Sequence, residues 1–291
     1  MSTLCIDHAG LRLKLDPERG AALVSLQSCH GGRWQEWLAG EALAARIAVP
    51  ACFPLIPFAN RIANGALQHT PQILGVNRPD LSTHPIHGYA WQGPWNVDRL
   101  QPQAVQLSYD GDADAWPWEY RAVMQLWLSP GEVRMHLKLT HLGLGQMPAG
   151  LGWHPAFPSA GLLSVQADTE AFLAIDDSGL PVSYVPGAAE CAALARGEIP
   201  AKGMDSDFDG WHHRLRVQWS DRVLELSADP IFTGLHVFRP VDTPLICLEP
   251  VSHLTGAMAR QRLPELASVH LLGTGESLQG SLVLRLLEPL H

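Results

Sequence analysis

Glu249 closes the apolar run Leu245-Ile246-Cys247-Leu248, and His154 stands between Trp153 and Pro155 in the stretch GLGWHPAFPSAG (150–161). A carboxylate and an imidazole are the side chains best suited to moving protons near neutral pH. Two further stretches lock polar residues between prolines, glycines and aromatics. FPLIPFANRIANG carries Asn60 and Arg61, and HPIHGYAWQGPW carries His84, His87 and Trp91. Each residue also has a plain structural reading. Histidines beside proline or glycine often cap turns. A carboxylate at the end of an apolar strand needs a partner or a cleft, since stranding it would cost several kcal/mol by order of magnitude. Arg61 could be that partner in a structural ion pair. Taken alone, the residues leave both readings open.

Metal, nucleotide and covalent chemistry are less well served. His84 and His87 are three residues apart but rigidly separated by Pro85. No carboxylate or thiolate lies near them, and a third ligand such as His154 would have to come from elsewhere in the fold. No metal is expected. Phosphate-cradling glycine loops and a Gly-x-Ser-x-Gly elbow are missing. Cys52 and Cys247 lie in apolar runs that favour inert thiols.

The elements that must position these residues read as strands. In EVRMHLKLT (132–140), Val133, Met135, Leu137 and Leu139 alternate with polar residues, and YRAVMQLWL (120–128) precedes it across the turn SPGE. A second hairpin is expected in HRLRVQWSDRVLELSAD (213–229). AVQLSYDG, LLSVQADTEAFLAI, GLHVFRP, PLICLEP and SLVLRLLEP are further strand candidates. Only GEALAARIAV (40–49) and MARQRLPELA (258–267) could make a turn or two of helix, cut short by Pro50 and Pro264. The 26 glycines and 23 prolines are spread along the chain and suit many turns rather than one linker. The expected fold is all-β: a single domain over residues 1–291 forming one large antiparallel β-sandwich whose loops carry the site.

Composition excludes some partners. The 291 residues carry a formal net charge of -9, which gives no electrostatic reason to approach nucleic acid or an anionic membrane. The most apolar stretch is broken by Arg46 and three prolines, so no membrane span is expected. Five cysteines, none paired as Cys-x-x-Cys, together with a start lacking a basic head and apolar run, point to reduced thiols and a cytoplasmic location.

In order along the chain, NRIANG, HPIHGYAWQGPW, GWHPAFP, MDSDFDGW and CLEPVSH resemble the motifs of the aldose 1-epimerases, or galactose mutarotases. LLGTGESLQGSLVLRL resembles that family's closing strands. The resemblance implies a β-supersandwich that interconverts the α and β anomers of a free sugar without cofactor, as a monomer or homodimer. By motif position, Glu249 matches the catalytic base and His154 the catalytic acid. Arg61 and His87 match sugar-binding residues, with Asn60 beside them and Trp91 as a stacking surface. The family's aspartate precedes a Phe by three residues and a Trp by six, which selects Asp205 over Asp207 and Asp209. Ala156 replaces the more usual aromatic after the proline and is expected to reshape the sugar pocket. His253 is expected on a solvated loop.

Mutarotation requires one proton removed from the anomeric hydroxyl and one delivered to the ring oxygen. A carboxylate base and an imidazolium acid do this together, each contributing about 10²–10⁴-fold. A clamp by Trp153 and Pro155 would hold the His154 ring on its target. The alternatives are a hexose-6-phosphate mutarotase, for which Arg78 or the basic HHRLR stretch (212–216) would supply cations, and a non-catalytic carbohydrate-binding module.

Overall fold

The computed structural model describes residues 3–40, 50–68, 70–111, 113–267 and 269–287. In these, alternation of apolar and polar residues produces long antiparallel strands. Tyr120–Ser129 and Glu132–His141 pair from Ser129 opposite Glu132, so Pro130 and Gly131 alone make the turn. Gly131 has φ 65°, a left-handed conformation that costs a residue without Cβ little. Val133, Met135, Leu137 and Leu139 are fully buried, as the period of two requires.

Two eight-stranded sheets dominate. One runs in the order Leu162–Ala167, Arg214–Trp219, Val223–Ala228, Ser277–Leu287, Glu132–His141, Tyr120–Ser129, Ala104–Asp110, Asn96–Gln101. The other runs Pro181–Pro186, Ala171–Ile175, Met204–Asp209, Gly234–Arg239, Leu245–Val251, Gly152–Trp153, Pro54–Leu55, with Ala156–Pro158 also paired to Leu245–Val251. A four-stranded sheet from Leu4 to Ala39 and a two-stranded one complete the set. All seven residues of Leu245–Val251 are buried, so this strand is covered on both faces. It carries Glu249.

The large antiparallel β architecture expected from the sequence is present, with three local differences. LLSVQADTEAFLAI is two strands, Leu162–Ala167 and Ala171–Ile175, lying in different sheets. The polar break Asp168-Thr169-Glu170 is where the chain crosses over, and the Asp168 carbonyl and Glu170 amide bond to His212 and Asp209. Residues 258–267 form turns rather than helix, while Ala189–Ala195 is helical and buries Cys191 and Leu194. Residues 41–49 of the other expected helix lie outside the described residues. No helix among the described residues is long and apolar enough to cross a membrane.

Candidate active site

Three neighbouring strands set the floor of one cavity, a correction to the expectation that loops alone would carry the site. Asp207 pairs in register with His236, and His236 with Glu249, so the three side chains form a row across the sheet. Asp205, two residues from Asp207, shares its face. Such a row needs strands, because only a ladder fixes cross-strand neighbours this closely. Loops then bring in Asn60, Arg61, His87, Trp91 and His154 from above, and all seven residues expected at the site line the same cavity of about 230 Å³. That volume lies a little below the range for drug-sized ligands, which suits a monosaccharide.

His154 Nε2 lies 3.1 Å from Glu249 Oε1. Both side chains are buried, and neither Glu249 oxygen accepts an aligned hydrogen bond from the described residues. The contact is therefore a close approach, with both carboxyl oxygens left for a polar ligand. Arg61 Nη1 sits 3.5 Å from Asp205 Oδ2 and 3.1 Å from Asn60 Oδ1. The structural Arg61–Glu249 pair is thus replaced by an Arg61–Asp205 pair. Asp205 is the aspartate facing the cavity. Asp207 is turned into the protein, where it accepts from His236 and from the Thr255 amide, and Asp209 accepts from Tyr184.

Phe53 packs directly against His154. The Phe53 ring stacks on His154 at 4.4 Å and 19°, and its carbonyl accepts the His154 backbone N–H at 3.0 Å. Trp153 is fully buried and absent from the cavity lining. Trp91 stacks on the same Phe53 ring at 5.1 Å and presents an aromatic wall to the cavity. His253 is buried, not solvated. It accepts the Ala59 N–H at Nε2 and donates to the Leu254 carbonyl, bracing the loop that carries Asn60 and Arg61. Ala156 packs with Ala39, Leu245 and Cys247 and does not line the cavity.

Burial dominates the electrostatics. It pushes Glu249 up to about 8, against the opposing pull of His236, and pushes His154 down to about 3, assisted by the charge on His236. At pH 7 the two groups therefore hold one titrating proton between them, resting on the carboxyl. Burial also drives His87 well below its ordinary value, with His154 and Arg61 adding to the effect. On His236 burial opposes the charge, but Glu249, Asp207 and Asp205 outweigh it and raise the imidazole well above its usual range.

His87, His154 and Glu249 each offer one ligand atom within 4.8 Å of the others. The tautomer of His87 argues against a shared cation. Its Nδ1 accepts the Asn60 N–H at 3.2 Å, so in the neutral ring Nε2 carries the proton and has no lone pair to give.

His236 and Phe53 escaped the sequence reading, and Asp207 entered it only as an alternative to Asp205. His236 lies in the expected strand GLHVFRP, whose only further signal is a histidine within an otherwise apolar run.

The site is thus an imidazole and a carboxyl facing one cavity on a large antiparallel β fold. The aldose 1-epimerase family model matches residues 3–261, and the chain belongs to that family. It is 24% identical to YphB of Escherichia coli K12, a protein of uncharacterised function, over 98% of this chain and 99% of that one. Its fold resembles the crystal structure of an Escherichia coli K12 protein assigned to the aldose 1-epimerases (TM-score 0.85, 21% identity, 98% of both chains). It also resembles a galactose mutarotase-like protein from Clostridium acetobutylicum (TM-score 0.80, 16% identity, 98% and 94% of the chains).

Proposed function

We propose that this chain interconverts the α and β anomers of a free aldose, as one domain and without a cofactor. The observation that carries the reading is the 3.1 Å approach of His154 Nε2 to Glu249 Oε1 at the floor of a cavity also lined by Arg61, His87 and Asp205. The exchange needs one proton shared by two groups, and the pair holds one. A bound sugar donates hydroxyls to the Glu249 carboxylate, which favours its ionised form and leaves the proton for His154. Glu249 then takes the anomeric hydroxyl proton while His154 gives its own to the ring oxygen. The C1–O5 bond breaks to the aldehyde, rotation about C1–C2 exposes the other face, and both protons return on closure.

Arg61, His87 and Asp205 offer two donors and one acceptor to ring hydroxyls, Asn60 holds Arg61, and Trp91 covers an apolar sugar face. The local charges of Asp205, Asp207, His236 and Arg61 cancel, which suits a neutral ligand. A phosphorylated hexose is less well served. Arg78 reaches the cavity lining, but Asp80 takes its guanidinium at 2.8 and 2.5 Å, and the 212–216 stretch lines a different depression. Polarimetry on fresh α-glucose and α-galactose tests the reading. Glu249→Gln and His154→Ala should each lose about 10²–10⁴-fold in rate while remaining folded; wild-type rates in either variant would refute it.

A further inference from the structure

In the row Asp207–His236–Glu249, neither Asp207 nor His236 has a role in the exchange described above. His236 is 3% exposed, and its two ring nitrogens meet two different carboxylates: Nδ1 lies 2.7 Å from Asp207 Oδ1, and Nε2 lies 3.1 Å from Asp205 Oδ1. Nδ1 donates to Asp207 in an aligned hydrogen bond, whereas the approach of Nε2 to Asp205 has ion-pair distance without that alignment; a ring flanked by two carboxylates this close is stabilised as an imidazolium. Asn60 Nδ2 lies 3.2 and 3.4 Å from the same nitrogens. Nearly equal distances to both place it above the ring plane, out of line with either N–H.

The far side of this cluster is anchored. Asp207 is 1% exposed, and its second oxygen accepts the Thr255 amide at 2.7 Å, so Asp207 is fixed by backbone. His236 is fixed in turn by Asp207. Asp205 is the outermost member, 29% exposed at its side chain, and it faces the cavity between His236 and Arg61. Its direction is therefore set from behind by the imidazolium and from the side by the guanidinium. Directly across the ladder from His236 stands Glu249.

We propose that His236 is a positioning residue of the site, an imidazolium locked between Asp207 and Asp205 that aims the Asp205 carboxylate into the cavity and sets a fixed positive charge beside the Glu249–His154 pair. The proposal rests on the anomerase reading for its kinetic consequences, but its charge assignment does not. The groups facing His236 are Asp205 and Asp207 on one neighbouring strand, Glu249 on the other, and Arg61, His87 and His154 on the loops above. Removing a cation from among them raises the proton affinity of Glu249 and His154 alike. Both act through the same field, so both limbs of a pH–rate profile move in one direction, which loss of packing would not produce.

Two measurements test it. In ¹⁵N-labelled wild-type protein, one histidine should show both ring nitrogens protonated from pH 6 to pH 8, and that signal should vanish in His236→Gln. A neutral tautomer for His236 in that range would overturn the proposal whatever the enzyme does with sugars, and it needs no variant that folds poorly. In kinetics on a free aldose, His236→Gln should raise KM about 10-fold through the loosened Asp205, and should shift both limbs alkaline by about one pH unit. An unshifted profile would overturn it. Absence of turnover in the wild type would instead sink the anomerase reading and leave the imidazolium result to stand by itself.

Discussion

Asn60 and His87 hold each other by two reciprocal bonds. The Asn60 N–H donates to His87 Nδ1 at 3.2 Å, and the His87 N–H donates to the Asn60 carbonyl at 3.0 Å. Both residues have positive φ, 53° and 60°, a conformation that costs a residue bearing Cβ about 1–3 kcal/mol. The arrangement turns His87 Nε2–H towards the cavity as a donor. Chelator treatment should therefore leave anomer exchange unchanged, whereas His87→Ala should raise KM at least about 10-fold. Loss of activity in EDTA, restored by zinc, would contradict this assignment.

The proton count predicts an unusual pH profile. The free pair carries one proton between about 3 and about 8, because burial lowers His154 and raises Glu249. kcat/KM should be level through neutrality and fall above about pH 8, as Glu249 loses the pair's only proton. An alkaline limb near the ordinary histidine value, with an acid limb near the ordinary glutamate value, would instead indicate two solvent-like groups.

The same burial makes Glu249 a stability liability. Its folded value of about 8 exceeds the ordinary 4.5, so between these pH values the folded state binds a proton that the unfolded chain does not. Stability falls as pH rises through that window. Glu249→Gln should thus be more stable than wild type at pH 8.5, by an amount on the order of a few kcal/mol, with the gap closing near pH 5. Urea midpoints at both pH values measure it; a gap that does not depend on pH would disprove the burial cost.

Gly179 predicts a distant route to weaker sugar binding. At φ +80° in the turn after Asp176, its missing Cβ leaves the space that the Arg61 guanidinium occupies. Gly179→Ala would put a methyl group against Arg61 Nε and Cζ and strain the turn. KM should rise roughly 10-fold, since Arg61 could no longer keep both its position and its Asp205 contact, while kcat changes little. An unchanged KM would show that Arg61 does not set affinity.

The Tyr120–His141 hairpin and the strand bearing Glu249 could be read from the sequence because period two and a closed apolar run are local signals. Among the residues that line the cavity, Asn60, Arg61, His87, Trp91 and His154 could be picked out because proline, glycine and aromatic neighbours mark rigid loops, while Asp205 came only from the family resemblance. His236 could not, since its importance lies in cross-strand register with Asp207 and Glu249, which no single stretch encodes. Phe53 was hidden for a similar reason: its contact with His154 joins residues 101 positions apart, and the adjacent Trp153 was the nearer suspect. The break at Asp168–Glu170 failed because a change of sheet needs only three polar residues and leaves the apolar alternation on both sides intact.

At the mouth of the cavity Arg78 lies 4.8 Å from the centroid of the Trp91 ring while Asp80 answers its charge from two residues away. An incoming solute thus meets a cation whose field is already cancelled within one side-chain length. Capture of an uncharged sugar should accordingly proceed at the same speed in dilute buffer and in concentrated salt, with diffusion rather than attraction delivering each molecule to the chamber.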